Sequence, residues 1–183
     1  MIRKNRFFFS QLKLGAGLLA AGLVYGTAAH AAGTKTDLSS LGAPGKAKDA
    51  ARTVPVTLND NYFDPATITV KKGETVRFHI VNKGSLLHEF TIETPDMHAA
   101  REKEMQDMLD MGMITATTIN NSQINMPGMN MEMHHKDPNT APVEPGKSAD
   151  VIWKFSKETR LEFACNIPGH YEAGMVGEIK FQH

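Results

Sequence analysis

Apolar and polar residues alternate in several short runs along the second two thirds of the chain. Ile68 and Val70 alternate with threonines, and Val76, Phe78 and Ile80 share one side of the next run. A period of two residues is typical of β-strands with one buried face. The same pattern predicts further strands at residues 89–93, 150–155, 160–165 and 176–181.

The order of these elements indicates the fold class. Helical segments do not alternate with the strands, so nothing supplies the crossovers that a parallel α/β sheet needs. We therefore predict an all-β protein, a Greek-key β-sandwich spanning residues 53–183. Residues 95–141 exceed what a connection in a sandwich requires, and we expect them to form a Met-rich, partly helical insertion.

The first 31 residues have the composition of a secretory signal peptide. The chain begins with the basic residues Arg3, Lys4 and Arg6, an apolar run extends from Leu14 to Ala29, and the triplet Ala29-His30-Ala31 offers a cleavage site. A retained membrane helix is the alternative, but glycines interrupt the run and no charged flank follows it. We therefore expect residues 1–31 to be removed, no membrane segment to be retained, and the mature protein to be periplasmic. Residues 32–52 carry few large apolar side chains and are predicted to be a flexible leader.

Charge excludes one class of partner. The full chain has a formal net charge of 0, and removal of residues 1–31 takes away four basic residues and no acid, which leaves −4. Nucleic-acid binding requires a clustered basic face, which this composition does not provide. We expect a monomer that does not bind nucleic acid.

The only cysteine, Cys165, begins a run that contains several types of metal ligand. His170 follows it at the fifth position and Met175 at the tenth. A single cysteine cannot form an intrachain disulfide or a multi-cysteine zinc site. With a second imidazole, for which His88 is the best candidate, these residues form the His2Cys set with a weak axial Met that is typical of blue copper centres. A Cys–His protease pair and an inert buried thiol are alternatives, but the protease leaves Met175 without a role.

Several motifs resemble those of the cupredoxin family. They cover about residues 53–93 and 143–183. The motifs are Tyr62-Phe-Asp-Pro65, Gly73-Glu-Thr-Val76, His88-Glu-Phe90, Pro145-Gly146 and Phe163-Ala-Cys165-Asn-Ile-Pro-Gly-His170. The four-residue gaps on both sides of His170 are most similar to those of rusticyanins and auracyanins. The methionine-rich insertion resembles exported copper-tolerance members of the family.

This resemblance implies a fold, a cofactor and a set of ligands. The cofactor would be one type 1 copper, bound by His88, Cys165, His170 and axial Met175, with one-electron transfer through the exposed edge of His170. A redox or copper-transfer partner would dock near His170. Candidates for its apolar docking patch are Leu86, Leu87, Ile167, Pro168 and Tyr171. One position departs from the family: Glu89 stands where many members have Asn or Ser, and its carboxylate either lies near the site or points to solvent.

Nine of the eleven methionines lie in the insertion at residues 95–141. A helix predicted to begin near Thr94 places Met97, Met105 and Met108 along one face, where they either pack against the sandwich or join a metal cluster with His98. The following segment is too polar to form a core, and its thioethers suit Cu(I). This possible second copper site comprises Met126, Met129, Met131, Met133, His134 and His135. A Met-rich loop without metal is the alternative.

Two functions are consistent with these observations. One is copper tolerance or homeostasis, in which the protein binds, buffers or oxidises copper, and the other is a soluble one-electron carrier between periplasmic redox partners. The insertion favours the first, because a carrier has no use for nine additional thioethers. Multicopper oxidases and nitrite reductases need a second domain and His-x-His pairs, so we expect the protein not to be an enzyme.

Overall fold

Two five-stranded sheets enclose the core of the protein. The computed structural model describes residues 38–120, residue 122 and residues 137–182, all within the compact unit Gly33–His183. The strands are β1 (Ala43–Pro44), β2 (Arg52–Asn59), β3 (Tyr62–Asp64), β4 (Thr67–Val70), β5 (Thr75–Asn82), β6 (His88–Glu93), β7 (Thr140–Val143), β8 (Ser148–Lys154), β9 (Leu161–Ala164) and β10 (Val176–Phe181). The described helices are α1 (His98–Asp110) and short 3-10 helices at Leu38–Ser40, Ala47–Asp49 and Pro95–Met97.

The strand order confirms the predicted all-β sandwich. One sheet has the order β1-β8-β5-β2-β3 and the other β4-β10-β9-β6-β7. The pairs β2–β5 and β4–β10 are parallel, and the other pairs are antiparallel. The strands predicted from alternation lie within two residues of those observed, whereas β2 and the short strands β1, β3 and β7 were not predicted individually.

Side chains from both sheets form one aromatic core. Phe63 and Phe78 belong to the first sheet, and Phe90 and Phe163 belong to the second. The ring of Phe90 stacks on Phe163 at 5.5 Å, lies 5.3 Å from Phe78, and meets the edge of Phe63 at 6.2 Å. Burial of rings of this size contributes a large part of the hydrophobic stabilisation of a small domain.

Residues 38–52 differ from the predicted flexible leader. Leu41 is fully buried, and its carbonyl oxygen accepts a hydrogen bond of 2.9 Å from the indole N–H of Trp153. Strand β1 then pairs with β8 at the edge of the first sheet. A single large apolar side chain and a few backbone hydrogen bonds therefore hold a segment whose overall composition is typical of a linker.

The helical part of the insertion packs on the sandwich. Thr94 and Pro95 begin the 3-10 helix that leads into α1, close to the predicted start. Met105 and Met108 of this helix and Met113 after it are buried in the core, which agrees with the packing alternative for these methionines. Arg101 is also buried and its Nε atom lies 3.2 Å from Glu93 Oε2 of β6, so that a buried polar contact joins α1 to the second sheet.

Two predicted segments lie outside the described residues. These are the signal peptide at residues 1–31 and the Met/His segment with Met126, Met129, Met131, Met133, His134 and His135. Within the part of the chain that the structure describes, no helix has the length and apolarity needed to cross a membrane.

Candidate metal centre

The predicted ligands come together where three neighbouring strand ends meet. His88 is the first residue of β6, and Cys165 follows the last residue of β9. His170 and Met175 lie in the connection between β9 and β10. Strand β9 pairs with both β6 and β10, so the sheet itself brings the first histidine beside the loop that carries the other three residues.

His88, Cys165 and His170 place one potential ligand atom each within 4.8 Å of one another. Cys165 Sγ lies 3.4 Å from His170 Nδ1, and His88 Nδ1 lies 3.2 Å from the same nitrogen. Ligand atoms held at about 2.0–2.3 Å from one metal ion have separations of roughly this size. Two imidazoles and one thiol therefore already have the spacing of a mononuclear metal centre.

Met175 lies beside these three residues in the backbone network of the loop. Its side chain is buried, its carbonyl oxygen accepts a hydrogen bond of 3.1 Å from Cys165 N–H, and its own N–H donates to His170 O at 3.0 Å. Gly169 and Gly174 have φ angles of +82° and +101°, conformations that residues with a Cβ rarely adopt. The loop can therefore fold back on itself between Cys165 and Met175.

Burial sets the protonation of the three donor side chains. It raises the pKa of the Cys165 thiol to about 12, although the N–H of Glu89 donates to the sulfur. Burial also lowers the pKa of both His88 and His170, which favours neutral imidazoles with a free lone pair. A thiol with such a pKa is a poor nucleophile at neutral pH but loses its proton to a bound metal ion. These properties fit a soft metal and disfavour the protease alternative.

Asp60 orients the first histidine and was missed by sequence reasoning. Its Oδ1 atom lies 3.1 Å from His88 Nε2, which leaves Nδ1 directed toward Cys165 and His170. Hydrogen bonds from Ser85 and then His88 hold the pKa of Asp60 well below its usual range, so the carboxylate stays charged. Carboxylates that accept from the second nitrogen of a ligand histidine fix its tautomer and raise its basicity.

Glu89 points inward and links the ligand strand to the ligand loop. Its backbone N–H donates to Cys165 Sγ at 3.3 Å. Its carboxylate accepts hydrogen bonds from the Thr140 hydroxyl at 2.9 Å and from Asn166 Nδ2 at 3.1 Å. The buried carboxylate of Glu89 therefore connects β6 to β7 and to the residue that follows Cys165, and it does not point to solvent, which answers the question that the sequence left open.

A second buried carboxylate belongs to Glu93, the last residue of β6. It also accepts a hydrogen bond of 3.1 Å from Asn166 Nδ2. Burial, together with the nearby charge of Glu89, raises the pKa of Glu93 to about 8, while Arg101 opposes this shift. Asn166 thus lies between two acidic side chains and next to Cys165, a connection that no local motif reveals.

The predicted docking patch is only partly available. Leu87 and Ile167 are buried, whereas Leu86, Pro168 and Tyr171 are half-buried around the half-buried ring of His170. Leu87 and Ile167 therefore belong to the core and not to a contact surface. The histidine edge itself is accessible on the described surface.

The fold and the donor set define a class: β-sandwich proteins with a mononuclear metal centre at one end of the sandwich. The sequence model of the Cupredoxin-like domain matches residues 18–122, and the chain belongs to the cupredoxin family. It is similar to the Copper-resistant cuproprotein CopI of Pseudomonas aeruginosa, with 46% identity over 95% of this chain and 99% of that protein. It is also similar to the Copper-resistant cuproprotein CopI of Rubrivivax gelatinosus, with 40% identity over 96% of this chain and 98% of that protein.

Solved structures resemble the fold. Auracyanin B has a TM-score of 0.56 and 20% identity, covering 78% of this chain and 96% of that chain. The auracyanin of the photosynthetic bacterium Roseiflexus castenholzii has a TM-score of 0.52 and 18% identity, covering 73% of this chain and 99% of that chain. At these identities the likeness supports the sandwich architecture alone.

Proposed function

We propose that the protein is a periplasmic copper-tolerance cupredoxin that holds one type 1 copper. His88, Cys165 and His170 would be the strong ligands and Met175 the weak axial ligand. The observation that carries the proposal is the convergence of the three donor side chains within 4.8 Å at one end of the sandwich. The relatives at 46% and 40% identity that are named copper-resistant cuproproteins support the assignment to copper tolerance.

The donor set fits copper in both of its oxidation states. A thiolate and a thioether are soft ligands, and imidazole suits Cu(I) and Cu(II) alike, so the bound ion would supply a one-electron redox couple. Asp60 fixes the tautomer of His88, and the N–H of Glu89 donates to the sulfur. The half-buried ring of His170 is the route by which an electron would reach a partner at the surface.

The Met/His segment at residues 126–135 would bind additional Cu(I). It supplies four thioethers and two imidazoles within ten residues, and it lies outside the described residues. Export through the signal peptide at residues 1–31 would place the protein where incoming copper is met first. In this proposal the protein binds copper and is not an enzyme.

The electron-carrier alternative rests on the accessible edge of His170 and its half-buried neighbours Leu86, Pro168 and Tyr171. Copper stoichiometry separates the two functions. A carrier needs one copper, whereas a tolerance protein with a functional Met/His segment binds more than one under reducing conditions. Deletion of residues 124–135 should lower the number of bound Cu(I) ions and leave the visible band of the Cu(II) protein intact. Unchanged stoichiometry would favour the carrier.

The ligand assignment is tested by Cys165→Ser in the full chain. The copper-loaded protein should show intense visible absorption from the thiolate-to-copper transition, and the variant should lose this band while keeping the far-ultraviolet circular dichroism of a β-sandwich. Ser156→Ala, which changes an exposed residue away from the ligand loop, serves as the control and should keep the band. A colourless wild-type protein after copper loading would refute the assignment.

A further inference from the structure

A second group of potential metal ligands lies beside the candidate copper centre. His98, Glu102 and Glu172 each place one potential ligand atom within 4.8 Å of one another. His98 Nε2 lies 3.4 Å from Glu172 Oε1 and 4.0 Å from Glu102 Oε2. His98 and Glu102 occupy successive turns of α1, and Glu172 comes from the ligand loop, so the group joins the insertion to the sandwich.

The hydrogen bonds of Asn166 determine which nitrogen of His98 is free. Glu89 and Glu93 both accept from Asn166 Nδ2, so the amide must direct Oδ1 the other way. That oxygen lies 2.8 Å from His98 Nδ1, which must therefore carry the hydrogen. In the neutral imidazole, Nε2 then has a lone pair aimed at two carboxylates, the arrangement in which a proton or a metal ion is required between them.

Packing holds these side chains in place. The ring of His98 stacks on Tyr171 with centroids 3.7 Å apart and an angle of 18°, and only 12% of its side chain is exposed. The second oxygen of Glu102 accepts a hydrogen bond of 3.4 Å from Gly169 N–H, which ties α1 to the ligand loop. A histidine fixed by stacking and by an outer hydrogen bond is typical of a built ligand and not of a freely rotating surface side chain.

We propose that His98, Glu102 and Glu172 bind a divalent transition-metal cation, with Cu²⁺ bound most tightly. One imidazole and two carboxylates suit Cu²⁺, Zn²⁺ and Ni²⁺, and the affinity of such ligands rises along the series to Cu²⁺. Cu(I) prefers sulfur, and Ca²⁺ and Mg²⁺ prefer oxygen alone. In the tetragonal geometry that Cu²⁺ prefers, neighbouring ligand atoms about 2.0 Å from the ion lie roughly 2.8 Å apart. Both carboxylates therefore have to move closer to His98, Glu102 farther than Glu172.

The competing occupant is a proton. Protonated at Nε2, His98 would be an imidazolium paired with Glu172 and Glu102. A divalent cation would replace that proton and neutralise both carboxylates at once. The proposal is therefore decided by whether added Cu²⁺ binds to this group.

The site would bind Cu²⁺, whereas the thioethers of the Met/His segment favour Cu(I). Its neighbours connect it to the candidate copper centre, because Asn166 follows Cys165 and Glu172 lies two residues after His170. It shares no ligand with that centre, so it can be tested whether or not the type 1 assignment holds.

The test uses the full chain with His134→Ala and His135→Ala, which removes two competing imidazoles. After one equivalent of copper has been bound, further Cu²⁺ is added and followed by equilibrium dialysis and electron paramagnetic resonance. The proposal predicts one further Cu²⁺ with the wide parallel hyperfine splitting of a site without thiolate and coupling to a single nitrogen. Glu172→Gln, an exposed change that leaves the sandwich intact, should weaken this binding by at least about tenfold.

Two variants complete the experiment. His98→Gln should remove the nitrogen coupling, whereas Asp107→Asn, which removes one carboxylate from an exposed position on the same helix, should leave the second ion unchanged. Added Cu(I) should not bind to this group. If no further Cu²⁺ binds, or if Glu172→Gln binds it as tightly as the parent chain, the proposal is wrong and a proton occupies the position.

Discussion

The two ligand groups share one loop but differ in burial and in donor chemistry. His88 and Cys165 are fully buried, and each is fixed by a strand. In the second group the side chains of His98, Glu102 and Glu172 are 12%, 33% and 58% exposed, and two of them come from a helix in the insertion. The sandwich therefore supplies a mostly buried group that contains sulfur. The insertion adds a more solvent-exposed group whose donor atoms are nitrogen and oxygen.

The difference has a direct chemical consequence. A soft, buried group can hold copper in either oxidation state, whereas imidazole with carboxylates favours divalent ions. Variants that affect only one of the two groups therefore test this difference.

The largest effect is expected from His88→Gln. Removal of one of three strong donors should abolish the visible band and weaken copper binding by more than about 100-fold, since even residues that only orient a ligand contribute about 10–100-fold. The second group should keep its Cu²⁺. Absorption spectroscopy measures the visible band, and competition with a chelator measures the copper affinity. The matched control is His79→Gln, because His79 is an exposed strand histidine paired with Asp150.

Met108→Ala should separate the groups by loosening the helix. Met108 is buried in the core, and its truncation should lower the free energy of unfolding by about 2–5 kcal/mol. Denaturation with urea measures this change. Cu²⁺ binding at His98 and Glu102 should weaken more than the visible band, because the proposed type 1 copper ligands lie outside α1. Met111→Ala is the control, since Met111 is 41% exposed, and an equal loss of stability there would contradict the packing assignment.

Asp60→Asn should weaken copper binding only at the buried group, and by less than His88→Gln does. The neutral amide can still accept a hydrogen bond from His88 Nε2 but no longer offers a negative charge, so we expect copper affinity to fall by about tenfold. The exposed Asp64 provides a control of the same residue type in Asp64→Asn. Equal affinities of Asp60→Asn and the parent chain would show that the carboxylate does not support the ligand.

The smallest effect is expected on the pH dependence of stability, from Glu93, which accepts a hydrogen bond from the Asn166 amide between the two groups. Burial, followed by the charge of Glu89, raises its pKa from 4.5 to about 8. The folded protein keeps a proton that the unfolded chain has released above pH 4.5, so this contribution to stability is lost as the pH rises from about 4.5 through 8. Glu93→Gln should remove a slope of at most about 1.4 kcal/mol per pH unit. Urea denaturation at several pH values measures this slope. Equal slopes for Glu93→Gln and the parent chain would show that the pKa of Glu93 is not raised.

Local patterns predicted the sandwich and the loop with Cys165, His170 and Met175, because both depend on short sequence intervals. His88 lies far from this loop in the sequence and was only the best candidate for the second imidazole, and the structure brings it within 4.8 Å of Cys165 and His170. Alternation identified β4, β5 and β10, and one loop carries Cys165, His170 and Met175. The role of Met175 as axial ligand and the copper sites of the Met/His segment stay predictions.

Long-range contacts explain what the sequence could not predict. Asp60 lies 28 residues before His88 in a turn, and nothing in its neighbourhood indicates a contact with a ligand. The inward direction of Glu89 depends on Thr140 and Asn166, which are distant in sequence. Leu41 is held by Trp153, 112 residues away, so the average composition of its segment was misleading.

The stacking of His98 on Tyr171 bears on the transfer of this loop to other proteins. A graft of residues 165–175 onto another cupredoxin sandwich would carry three of the proposed copper ligands and Glu172, but it would leave behind the helix with His98 and Glu102. The recipient could become coloured without gaining the second group. A graft that is meant to carry the second group would therefore have to include both α1 and the loop.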